Sequence, residues 1–82
     1  MSWLDDEGLR PPRLAFAISR KVGSAVARNR LRRRLRELAR QRGLPAGAWL
    51  VTAFPGACEV PFGTLAHWWD QAVGALSASR AA

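Results

Sequence analysis

Cysteine and histidine each occur once in this 82-residue chain, and acidic residues number six. That scarcity excludes most chemistry a protein performs by itself. A lone Cys58 forms no internal disulfide and fits a reducing compartment. It reads as a small apolar loop residue. No Cys/His spacing of the kind that cages zinc occurs, and no glycine-rich phosphate loop of the Walker type is present. Asp5, Asp6 and Glu7 sit together near the start, whereas Glu37, Glu59 and Asp70 are scattered. Neither set reads as an acid/base pair or a carboxylate cage. His67 falls away from the apolar stripe of its helix and reads as a surface residue. The expectation is therefore no catalytic residue, no metal ligand and no cofactor bound by a protein motif. No apolar run approaches the ~18–20 residues that span a bilayer. The acidic beginning lacks the basic and apolar regions of a signal peptide. The chain is expected in the cytoplasm, away from membranes.

What the chain has in excess is positive charge. The net charge is +7 and the isoelectric point about 11.7, which points to an acidic partner, nucleic acid first and anionic membrane second. Ten of the thirteen basic residues lie between Arg20 and Arg42, against one acid, Glu37. Ser24 suits an N-cap and Gly43, followed by Pro45, a stop, so the spacing predicts a helix over 25–42. Successive residues placed ~100° apart put Ala27, Leu31, Leu35 and Leu38 on one stripe, with Ala39 at its edge. Asn29, Arg32, Arg33, Arg36 and Arg40 lie opposite. Arg28, Arg30 and Arg34 fall on the flanks, where long stems cover apolar surface and keep their charges in water. Glu37 can pair with Arg33 or Arg40.

A solvated helix face is the bland account of such a run. Two features argue for a polyanion instead. Arg32 with Arg36, and Arg36 with Arg40, are like charges at i,i+4 and repel each other, whereas a face built for solubility mixes signs. Arginine also binds phosphate as a planar fork and stacks on bases.

The stretch KVGSAVARNRLRRRLRE resembles the signature of the bacterial ribonuclease P protein component, through Lys21, Gly23, Ala25, Val26, Arg28, Asn29, Arg30, Arg33, Arg34, Leu35, Arg36 and Glu37. RLAFAISRK before it and PAGAWLVTAFPGA after it are similar to that family's flanking strands. PFGTLAHWWDQAVGAL is similar to its closing helix, so the likeness covers roughly residues 13–76. The resemblance implies an RNA-binding subunit of a ribonucleoprotein endoribonuclease, whose catalytic RNA removes the 5′ leader from precursor tRNA. It implies the catalytic RNA and precursor tRNA as partners, with Mg²⁺ at the RNA active site. RNA contacts are expected from Lys21, Arg28, Asn29, Arg30, Arg32, Arg33, Arg34, Arg36 and Arg40. Phe16 and Arg20 are candidate leader contacts. The alternative is another basic nucleic-acid-binding module, ribosomal or DNA-binding, with no nuclease role; a surface-active membrane peptide is a third reading.

Eighty-two residues make one domain with a small core. Residues 1–12 are expected as a flexible polar leader, 13–77 as the RNA-binding domain and 78–82 as a frayed tail. Leu14, Phe16 and Ile18 alternate with Ala15, Ala17 and Ser19, which predicts a strand. Phe16 reads either as core filler or as a stacking surface for an unpaired base. A second strand is expected over 48–54, with Trp49, Val51 and Ala53 on one face, and a closing helix from about Phe62 to Ser77. Its stripe is Phe62, Leu65, Trp69, Ala72, Val73 and Leu76, with Trp68 half exposed beside it. The expected fold is α+β, a small two-layer β-α-β-α domain with a parallel strand pair. By the resemblance it is ribosomal-protein-like, with an unusual left-handed βαβ crossover, and lacks the family's first helix and two strands. Trp49 stands where the family often has an acid and Phe54 where it often has a base, so both are expected to add aromatic surface.

Overall fold

The computed structural model describes residues 1–81. Its strands are β1 (Ser2–Asp5), β2 (Arg13–Ala17) and β3 (Gly47–Thr52), and its helices α1 (Ala25–Arg42) and α2 (Phe62–Ala81). Short 3₁₀ turns at Arg20–Val22 and Ala57–Glu59 lead into α1 and α2. The sheet order is β1-β3-β2, with β3 parallel to β2 and antiparallel to β1.

The period-two pattern of β2 and β3 decides which face is covered. Val51 and Ile18 are buried in the core, and Leu14, Phe16 and Ala53 pack against it. Ala15, Ala17, Leu50 and Thr52 are exposed on the other face. Leu31, Leu35 and Leu38 of α1 meet Leu65, Ala66 and Trp69 of α2 in the same core cluster. Helices on one side and an open sheet face on the other make the two-layer α+β architecture expected from the sequence.

The leader departs from expectation. Residues 1–12 were expected to be flexible, yet Ser2–Asp5 forms an edge strand in register with Gly47–Leu50. The sheet therefore has three strands rather than two. Trp3 explains the difference. Its ring stacks on Trp49 at 4.9 Å between centroids and 12° between planes, and its Nε1–H donates to the Ala46 carbonyl at 3.0 Å. A four-residue strand is too short to announce itself by periodicity. Gly47 makes room for it: φ there is 131°, and a Cβ would lie 2.2 Å from the Leu4 carbonyl oxygen. The acids beyond β1 are used locally, since Asp6 accepts from the Gly8 amide at 2.9 Å and Glu7 pairs with Arg10 at 3.0 Å.

Three further expectations change. Trp49 adds no aromatic surface; it is 2% exposed beneath Trp3, and its Nε1–H donates to the Pro45 carbonyl at 2.9 Å. Phe54, beyond the strand end, is 78% exposed. The closing helix begins at Phe62 as expected but runs through Ala81, so residues 78–81 are helical rather than frayed. Ala82, the last residue of the expected tail, lies outside the described residues. Phe62, 38% exposed, opens the stripe rather than being buried in it, whereas Leu65, Ala66 and Trp69 lie in the core and Val73 packs against it.

Candidate nucleic-acid interface

The basic helix is fixed at both ends by its own caps. The Ser24 hydroxyl accepts from the Ala27 amide at 3.2 Å, which satisfies one of the free N–H groups of the first turn. At the other end Gly43, with φ 71°, donates its amide to the Ala39 carbonyl at 2.9 Å. Eighteen residues at ~1.5 Å rise give a rod about 27 Å long. Leu31, Leu35 and Leu38 are 2%, 6% and 0% exposed. Truncating one such leucine to alanine typically costs about 2–5 kcal/mol, so the inward side is firmly specified.

The segment between β3 and α2 braces the helix. Ala57 is buried in the core, and Cys58 packs so close to Gly23 that a Cβ there would lie 3.3 Å from its Sγ. Arg34 reaches the same segment, with Nη1 3.5 Å from the Val60 carbonyl, a long and weak contact. Beyond it, Arg42 Nε donates to Asp70 Oδ1 of α2 at 2.7 Å.

The arginines of α1 differ in what holds them. Arg32 donates to Asn29 Oδ1 at 2.9 Å. Arg40 is bound to Glu37, which also accepts from Gln41. The Arg40 guanidinium donating to it holds the Glu37 carboxyl below its ordinary value of 4.5, and Glu37 in turn raises Arg40. Arg36 lies over the Phe16 ring, Cζ 5.2 Å from the centroid. Arg28 is half-buried, and its Nε is shut from solvent with no hydrogen-bond partner. Arg30 and Arg33 are exposed and, among the described residues, make no hydrogen bond or ion pair. Arg20 and Lys21 are exposed in the turn before the helix, likewise without a partner there. The basic residues of α1 and of the turn before it thus combine side chains already engaged within the fold with side chains whose donors, among the described residues, are free.

Among the described residues no three histidines, cysteines or acids come together as a metal cage. His67 is exposed on α2. No described helix is long and apolar enough to cross a membrane.

The model for the family described as ribonuclease P matches residues 1–76. The chain belongs to the ribonuclease P protein family. It is 45% identical over 76 residues to the ribonuclease P protein component of Thermobifida fusca, covering 89% of this chain and 52% of that one. The protein of the same name from Salinispora tropica is 47% identical over 73 residues, 85% of this chain and 54% of the relative. That from Thermus thermophilus is 43% identical over 65 residues, 79% of this chain and 38% of the relative. The chain therefore spans about half the length, or less, of these three relatives.

Within the ribonuclease P framework, the family motif maps onto α1 and the turn before it, so Lys21 through Arg40 share one element and its lead-in. Phe16 faces α1 beneath Arg36, whereas Arg20 projects from the turn. Two features had no local signal in the sequence. One is the Phe16–Arg36 contact, which joins residues far apart in the chain. The other is an apolar groove of about 590 Å³ between β3 and the helices, lined among others by Leu31, Leu35, Val51, Leu65, Trp68 and Trp69.

Proposed function

We propose that this chain is the RNA-binding protein of a ribonuclease P, assisting a catalytic RNA in removing the 5′ leader from precursor tRNA. The observation that carries this reading is the free display of Arg30 and Arg33 on a helix whose other side is locked into the core. Guanidinium groups with unused N–H donors take phosphate oxygens in charge-assisted, often bidentate bonds. Spaced along a rigid rod, they meet several phosphates of one folded RNA together. Partial neutralisation of those phosphates lets RNA helices approach and lets Mg²⁺ settle at the RNA active site. The protein contributes binding and charge, and the RNA contributes the chemistry. The working compartment in this reading is the cytoplasm.

The test adds the protein to a bacterial ribonuclease P RNA and precursor tRNA at low Mg²⁺. Cleavage that releases the 5′ leader faster than RNA alone is the expected result. No stimulation, with RNA binding retained, would mark the chain as a basic nucleic-acid-binding module without a nuclease role. In a parallel titration, log K against log salt should fall with a slope of roughly −0.7 to −0.9 per phosphate contact.

A further inference from the structure

Seven of the eight arginines of α1 either have no partner or spend a donor on an oxygen. Arg32, Arg34, Arg40 and Arg42 donate to Asn29, the Val60 carbonyl, Glu37 and Asp70. Arg28, Arg30 and Arg33 have no partner among the described residues. Arg36 alone is held without a hydrogen bond: its Cζ lies over the Phe16 ring, and none of its N–H groups donates to an oxygen among the described residues. A guanidinium has five N–H donors in a fixed fork. Those of Arg36 all stay available, while its long stem is restrained.

We propose that Phe16 is a positioning residue for RNA binding: it fixes Arg36 in advance, so that its unspent fork meets a phosphate without first losing side-chain freedom. This rests on the reading of α1 as the RNA-binding element. Phe16 owes its place to the alternation of β2, which turns Leu14 and Phe16 to the core side, with Ile18 continuing the pattern just past the strand. β2 is an edge strand, and Phe16 stays half-buried with its ring beneath a surface arginine. The face that could have carried an unpaired base is thus occupied by Arg36. Phe16 packs against the core, as one of its two sequence readings has it, and its outward face serves as a seat for a cation rather than as a platform for a base.

The gain is one of preorganisation. Immobilising a long side chain on binding costs affinity, and a side chain ordered beforehand avoids that cost. Losing the seat should therefore weaken binding by about 3- to 10-fold. The number of phosphates contacted should not change, because Arg36 still reaches its phosphate once bound.

The experiment is a double-mutant cycle on the full chain. Affinity for an in vitro transcript of a bacterial ribonuclease P RNA is measured across a salt series for wild type, Phe16→Leu, Arg36→Ala and the double variant. Phe16→Leu is expected to lose affinity about 3- to 10-fold at an unchanged salt slope. Arg36→Ala is expected to lose more and to flatten the slope by about 0.7–0.9. Adding Phe16→Leu to Arg36→Ala should cost less than about 2-fold further, and Phe16→Tyr, which keeps the ring face, should bind like wild type. Phe16→Met replaces Phe16→Leu should the latter melt below the binding temperature. An equal loss from Phe16→Leu with and without Arg36 would overturn the proposal, since Phe16 would then act through the core alone. Wild-type affinity in Phe16→Leu would overturn it too. If instead Arg36→Ala leaves both affinity and slope untouched, the failure lies in the assignment of Arg36 to the RNA surface.

Discussion

The two helices are nearly equal in length, 18 and 20 residues, and are built on opposite plans. α1 carries eight arginines and anchors itself by leucines spread along its middle, at positions 31, 35 and 38. Among its described residues α2 buries only Leu65, Ala66 and Trp69, all in its first half; Ala72, Val73 and Leu76 beyond them are half-buried. The difference shows what a dense one-sign surface requires. Neighbouring like charges along α1 repel by a few tenths of a kcal/mol per pair. An anchor worth several kcal/mol overrides that repulsion. α2 carries no such load and leaves an open groove beside it.

The sharpest way to break this comparison is to truncate one leucine from each helix. Leu38→Ala, at a site 0% exposed, should cost about 2–5 kcal/mol and lower the melting temperature by more than about 10 °C in a domain of this size. Leu76→Ala should cost less than about 1.5 kcal/mol because its side chain is only partly withdrawn from water. Thermal unfolding followed by circular dichroism separates them. Equal losses would mean that α2 is anchored as deeply as α1, and the contrast would fall.

The next effect concerns RNA rather than stability. Arg30→Ala and Arg33→Ala should each weaken binding to a ribonuclease P RNA roughly tenfold, as loss of a hydrogen-bonded charge does, and each should flatten the salt slope by about 0.7–0.9. Neither should lower the melting temperature, since neither side chain has a partner among the described residues. His67→Ala on α2 should leave affinity within about 2-fold, as expected for an exposed group outside the basic surface. A loss from His67→Ala as large as from Arg33→Ala would extend the interface to α2.

How far the sequence disclosed all this follows from the range of each interaction. α1 was legible to the residue, because a cap, a 3.6-residue stripe and a glycine stop are all local. The burial of alternate residues in β2 and β3 was legible for the same reason. β1 was not, since its four residues carry no period and its order comes from Trp3 meeting Trp49, forty-six positions away in the chain but adjacent in the sheet. Trp49 misled in the same way: an aromatic in place of a charge reads as surface until a second ring covers it. The candidate site divides likewise. The positions of the arginines came from helical periodicity, whereas their division into engaged and free depends on Glu37, Asp70, the Val60 carbonyl and Phe16, three of them outside α1.

The smallest effect sharpens that division from within α1. Glu37 is the one acid on the helix and binds Arg40, which withdraws that arginine's donors from the free set. Its carboxyl is held below 4.5 chiefly by the Arg40 hydrogen bond. A group whose folded value is depressed contributes stability above its unfolded value and loses it as pH falls through the folded one. The pair is at the surface, so its contribution is small and screened by salt. Glu37→Gln should therefore melt slightly below wild type at neutral pH, and the gap should close as pH falls from the ordinary value of 4.5 through the lowered folded value. The same variant releases Arg40. If free donors are what RNA selects, Glu37→Gln should bind a ribonuclease P RNA slightly tighter at neutral pH while folding slightly less well. A variant that weakens both would place Glu37 itself among the groups that meet RNA, and the division between engaged and free arginines would have to be redrawn at Arg40.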